Sequence, residues 1–147
     1  MVSCHALGLG LDDDNLISAA LLHDVCEDCG VSPEELPINE EIQKAVALLT
    51  RNPVPLSNSE AEHQHYYKGI SENKIAVLVK LLDRCNNVSG MAGAFSPDKT
   101  AKYIKETQKY IYPLFQIAKA HYPEYSNQLF LIKYHMASVV ESLKYLL

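Results

Sequence analysis

The chain has 147 residues, 48% of them hydrophobic and 21% charged, and a formal net charge of −5 at neutral pH. That length suits one domain, residues 1–147, able to bury about two-thirds of its unfolded surface around a single core, and the composition excludes a disordered chain. The negative charge argues against a nucleic-acid partner, whose affinity comes from Lys and Arg set on phosphates. No apolar run approaches the roughly 18 residues of a membrane span and no secretory leader opens the chain, so no membrane partner and a cytoplasmic location are expected.

Met1 to Leu11 reads as the short apolar tail of a helix, loosened by Gly8 and Gly10. Asp12, Asp13 and Asp14 offer an N-cap and an acidic first turn to a helix from about Asn15 to Asp28, which Gly30 ends. Ser32-Pro33-Glu34-Glu35 spells a capping box with proline at the first position, giving one short turn that finishes at Pro37. Asn39 caps the next helix, where Ile42, Val46 and Leu49 recur at helical spacing. Asn52 to Ser59, with Pro53 and Pro55, reads as a loop. A helix follows from about Ser59 to Gly69, and Ser71 then caps an apolar one from Ile75 to about Val88, broken by Gly90 and Gly93. Ser96-Pro97-Asp98 opens a long helix to about Ala120 with a kink or break at Pro113, and Leu129, Ile132, Met136, Val139, Val140 and Leu143 outline the last. No period-2 pattern is sustained, so the predicted fold is all-α, with about six to seven helices.

Within this order, Ala19-Ala20-Leu21-Leu22-His23-Asp24-Val25-Cys26-Glu27-Asp28 concentrates chemistry. On a helix His23 stacks above Glu27 and Asp24 above Asp28, so four ionisable groups share one face directly after an apolar segment. Buried carboxylates and an imidazole need a compensating cation, and a divalent metal is the simplest. A second cluster lies in Leu78-Val79-Lys80-Leu81-Leu82-Asp83-Arg84-Cys85-Asn86-Asn87, where Asp83 is the only acidic residue between Glu72 and Asp98 and Asn87 points the same way one turn later. Of the four cysteines, Cys26 and Cys29 form a Cys-x-x-Cys, but without a preceding strand or a second pair they read as structural thiols. His63 and His65, two apart, fall on different helix faces.

Ala-Ala-Leu-Leu-His-Asp-Val-x-Glu-Asp resembles the signature of the HD-domain phosphohydrolases, and within them the hydrolase domain of Rel/Spo-type guanosine tetraphosphate (ppGpp) enzymes. Three further segments are similar to that family: Leu78 to Asn87, with Asn86 where a His is usual; Lys105 to Leu114, with Ile111 in a usual Tyr position; and Leu48-Leu49-Thr50-Arg51. The resemblance covers about Leu16 to Ala118 and implies an HD-type helical bundle.

It further implies that His23, Asp24 and Asp83 are metal ligands, and that Asn87 contacts the substrate. Such a ligand set suits Mn²⁺, Fe²⁺, Zn²⁺ or Mg²⁺, and the resemblance implies Mn²⁺. A bound divalent ion polarises a phosphoryl oxygen and makes water more acidic. Glu27 and Asp28 are then placed as general bases, and Lys80, Arg84 and Arg51 as cations that neutralise phosphate. The implied reaction removes the 3′-pyrophosphate of ppGpp or pppGpp, giving GDP or GTP. Each residue also has a plainer reading: a hydrogen-bonded His23–Asp24 core pair, Glu27 and Asp28 as a solvated helix end, Lys80 and Arg84 as salt-bridge or surface residues.

In HD domains the first ligand is a His some two dozen residues before the His-Asp pair. His5 lies only 18 residues upstream of His23. The expectation is a chain that begins late and lacks that first helix and its His, with His5 as the one substitute. The absent helix would expose apolar surface, which predicts a homo-oligomer. Two alternatives stay open: an HD phosphohydrolase for another nucleotide, and a degenerate, non-catalytic nucleotide-binding module.

Overall fold

A computed structural model of the chain describes residues 1–51 and 60–147, and the predicted Asn52–Ser59 loop lies outside the described residues. The fold is all-α: among the described residues there is no strand. The chain forms two compact units, Met1–Lys80 and Leu81–Leu147.

The first unit holds α1 (Val2–Gly8), α2 (Asp14–Leu22), α3 (Val25–Cys29), α4 (Glu40–Leu49), α5 (Glu60–Ser71) and the start of α6 (Lys74–Ala94). Two caps form as the sequence predicts. Asp13 Oδ1 accepts the Leu16 N–H at 2.9 Å, and Asn39 Oδ1 accepts the Ile42 N–H at 3.0 Å. Gly30 ends α3 in the left-handed conformation at φ +66°, where a side chain would be strained. α2 packs on α1 and α4, and α4 on α5. The last contact is close: a Cβ on Gly69 would meet Leu48 Cδ2 at 3.2 Å.

The predicted Asn15–Asp28 helix is split in the structure into α2 and α3, with His23 and Asp24 between them. The cause is local. His23 Nδ1 lies 2.7 Å from the Ala20 carbonyl, the acceptor that the Asp24 N–H would use in an unbroken helix.

Two other boundaries move. Asn73, not Ser71, caps α6 by accepting the Ala76 N–H at 2.9 Å, while Ser71 closes α5 and donates from Oγ to the Lys68 carbonyl at 2.7 Å. Helix α6 runs on through Gly90 and Gly93 to Ala94. Each glycine costs about 1 kcal/mol against alanine, but fully buried Val88 and Met91 anchor that end.

The second unit holds the remainder of α6 with α7 (Pro97–Glu106), α8 (Tyr112–His121) and α9 (Ser126–Lys144). The predicted break before Pro113 takes the form of a π-helical turn, Thr107–Ile111. Pro113 has no N–H for the Lys109 carbonyl, and one wider turn absorbs the mismatch. Helix α8 packs on α9, whose Leu129, Ile132, Met136 and Val140 are buried as their spacing predicts.

Candidate functional site

In the first unit the break between α2 and α3 presents the His-Asp pair. Because a carbonyl only accepts, His23 Nδ1 carries the proton that it gives to Ala20, which leaves the lone pair of a neutral imidazole on Nε2. That buried Nε2 lies 3.0 Å from Asp24 Oδ2. Two acceptor atoms do not approach so closely without a positive charge, supplied by a second ring proton or by a shared cation. Ligands about 2.1 Å from an octahedral ion and at right angles to one another stand ~3.0 Å apart. The pair thus fits either an ion pair with a doubly protonated imidazole or two ligands of one cation. Among the described residues, no group of three or more His, Cys, Asp and Glu side chains is gathered for a metal.

One turn further on, Glu27 and Asp28 are exposed. Glu27 Oε1 accepts the Arg51 backbone N–H at 2.6 Å, tying α3 to the segment after α4. The Arg51 guanidinium donates to Tyr67 Oη at 2.9 Å and lies 4.6 Å from the centre of the Tyr66 ring. Lys80 Nζ lies 5.5 Å from the same ring. Three residues singled out from the sequence are thus linked, Glu27 to Arg51 through a backbone N–H and Arg51 to Lys80 through the Tyr66 ring, with Tyr67 bracing the guanidinium. No motif marks the two tyrosines in the sequence of α5, and only their place beside the arginine in space singles them out.

Cys26 is buried and Cys29 exposed, and both thiols are free. Burial pushes the Cys26 thiol above its ordinary value, partly offset by a hydrogen bond with Thr50. A redox cysteine needs the opposite shift, which agrees with a structural reading of this Cys-x-x-Cys.

In the second unit Asp83 is half-buried and accepts from Asn87 Nδ2 at 3.2 Å, so the two residues share a face of α6 as their spacing predicts. Arg84 has a different setting from the phosphate-neutralising one expected of it. Only 3% exposed, its guanidinium pairs with Glu106 Oε1 at 2.8 Å, lies 4.0 Å from the Tyr103 ring centre and reaches Thr107 Oγ1 at 3.4 Å. It is an internal cation that fastens α6 to α7.

The first unit thus carries a His-Asp pair at a helix break, a carboxylate one turn on and two cations on one tyrosine ring. Four curated proteins are similar to the chain in sequence. Guanosine-3′,5′-bis(diphosphate) 3′-pyrophosphohydrolase of Aquifex aeolicus is 33% identical over 110 residues, which is 72% of this chain and 16% of that protein. The protein of the same name from Vibrio cholerae is 32% identical over 111 residues, 69% of this chain and 15% of that one. A probable enzyme of that name from Synechocystis is 30% identical over 109 residues, 69% of this chain and 14% of its own length. The chain thus spans about a sixth of the length of the curated relatives it matches. No family model matches the chain, and no solved structure matches it. No described helix is long and apolar enough to cross a membrane.

Proposed function

We propose that the chain is a metal-dependent phosphohydrolase of the HD type that removes the 3′-pyrophosphate of ppGpp or pppGpp, giving GDP or GTP and pyrophosphate. The observation that carries the reading is the His23–Asp24 pair, one ring nitrogen anchored on Ala20 and the other 3.0 Å from Asp24 Oδ2. The names of the similar proteins supply the substrate.

In this reading His23 and Asp24 would hold a divalent ion, Mn²⁺ by preference, with Asp83 the third ligand that the resemblance implies, and the ion would supply polarisation of a phosphoryl oxygen. Glu27, fixed by the Arg51 amide, and Asp28 beside it orient a water and take its proton. The water oxygen attacks the phosphorus attached to the ribose 3′ oxygen, the bond between them breaks, and the 3′ oxygen leaves with the proton that the water gave up. Arg51 and Lys80 offset phosphate charge, which the net charge of −5 makes necessary. Asn87 donates to a sugar or phosphate oxygen, and Arg84 keeps its structural place on Glu106.

The test is turnover of a nucleotide panel with Mn²⁺ in ¹⁸O-water. Label in pyrophosphate and none in GDP supports the proposed bond cleavage. Turnover of a different nucleotide alone would replace the substrate, and no turnover of any would make this a binding module.

A further inference from the structure

Tyr66 is half-buried on α5 and is fixed at both ends of its ring. Its hydroxyl donates to the Leu49 carbonyl at 2.8 Å, and its edge meets the Tyr67 ring at 5.1 Å between centres and 72° between planes. Two cations from different segments converge on it: Arg51, at 4.6 Å, and Lys80, at 5.5 Å, both inside the 6 Å range of cation–π attraction. Two like charges near one point repel, and the negative face of an aromatic ring offsets that repulsion. Arg51 is further held by Tyr67 Oη and, through its backbone, by Glu27.

We propose that Tyr66 is a positioning residue whose ring holds Arg51 and Lys80 together as a dicationic seat for the pyrophosphate group. This deepens the hydrolase reading and rests on it for the identity of the group under attack. A pyrophosphate carries charge on two linked phosphates, so a pair of cations held in advance recognises it better than either alone. Long Lys and Arg side chains lose rotamer freedom when they clamp an anion, and the ring takes much of that loss before the ligand arrives. The Arg51 amide on Glu27 ties this seat to the helix that carries the general base, so the group under attack and the base that activates water are set by one short network.

The experiment is calorimetric titration of inorganic pyrophosphate into the full chain in EDTA, with circular dichroism melting to verify each variant's fold. Tyr66→Leu is expected to weaken binding about tenfold, between the exposed and the desolvated range of a cation–π contact, while Tyr66→Phe, which keeps the ring, stays within about threefold of the original. Lys80→Gln is expected to weaken binding as Tyr66→Leu does. In ppGpp turnover, Tyr66→Leu raises KM with kcat little changed. Absence of pyrophosphate binding by the unaltered chain overturns the inference, as does Tyr66→Leu binding like the original or Tyr66→Phe failing as badly as Tyr66→Leu. The last result would assign Tyr66 a structural role through its Leu49 hydrogen bond. Pyrophosphate binding in the expected order without ppGpp cleavage would keep the seat and remove the hydrolase reading, and cleavage without that order would do the reverse.

Discussion

Replacing Glu106 with alanine removes the carboxylate that neutralises Arg84, a cation 3% exposed and 2.8 Å from its partner. Breaking a buried ion pair by deleting one member costs about 3–5 kcal/mol, because the other charge remains out of water. Glu106 is itself 26% exposed, so water that enters its place recovers part of the loss, and about 2–3 kcal/mol is expected. Tyr103 and Thr107 stay in contact with the guanidinium and set the lower bound. Urea unfolding followed by circular dichroism measures it: with a slope of about 2 kcal/mol/M, the midpoint falls by about 1 M or more. The double variant Arg84→Met, Glu106→Gln removes both charges and is expected to recover most of that loss, since replacing an ion pair by matched uncharged groups is often close to neutral. A Glu106→Ala midpoint within about 0.2 M of the original would refute the reasoning and show that Arg84 is neutralised elsewhere.

Three further outcomes are expected. Asn73→Ala deletes the N-cap of α6 and lowers stability by about 1 kcal/mol in the same assay, whereas Ser71→Ala, which alters no cap, costs less. The Tyr112 hydroxyl is buried without a hydrogen-bond partner among the described residues, so Tyr112→Phe is neutral or stabilising by up to about 1 kcal/mol. Burial, and secondarily Glu141, raise the Tyr112 phenol above its ordinary value of 10.0, so the folded chain keeps that proton to higher pH than the unfolded one. The associated stability is complete below pH 10.0 and is lost as pH rises through the folded value, a decline that Tyr112→Phe abolishes in alkaline melts. Mn²⁺ electron spin resonance should show one ion bound per chain in the original and none with Asp24→Ala; an unchanged signal in that variant would exclude Asp24 from the ligands.

Much of the fold was legible because caps and hydrophobic spacing are local. Asp13, Asn39 and Ser96 each accept the backbone N–H three residues on, as their positions before apolar repeats foretold. The break after Leu22 was not, because it depends on a histidine ring competing with a backbone donor for one carbonyl, which composition does not encode. Gly90 and Gly93 looked like stops, yet burial of Val88 and Met91 outweighs their propensity. Residue type alone also left Arg84 ambiguous between a ligand clamp and a core cation, a choice that depends on Glu106, 22 residues away. Tyr66 carries no local signal for the related reason that its setting depends on cations brought from two other segments.

The central claim, a metal-dependent attack on a guanosine 3′-pyrophosphate directed by His23, Asp24 and Asp83, is tested most directly by measuring pyrophosphate release from ppGpp with Mn²⁺, beside Asp83→Ala. The account predicts release that EDTA abolishes and that Asp83→Ala reduces at least a hundredfold, the upper range for the loss of a supporting metal contact. Release that is equal in the two proteins, or none from the unaltered chain under Mn²⁺, would contradict it.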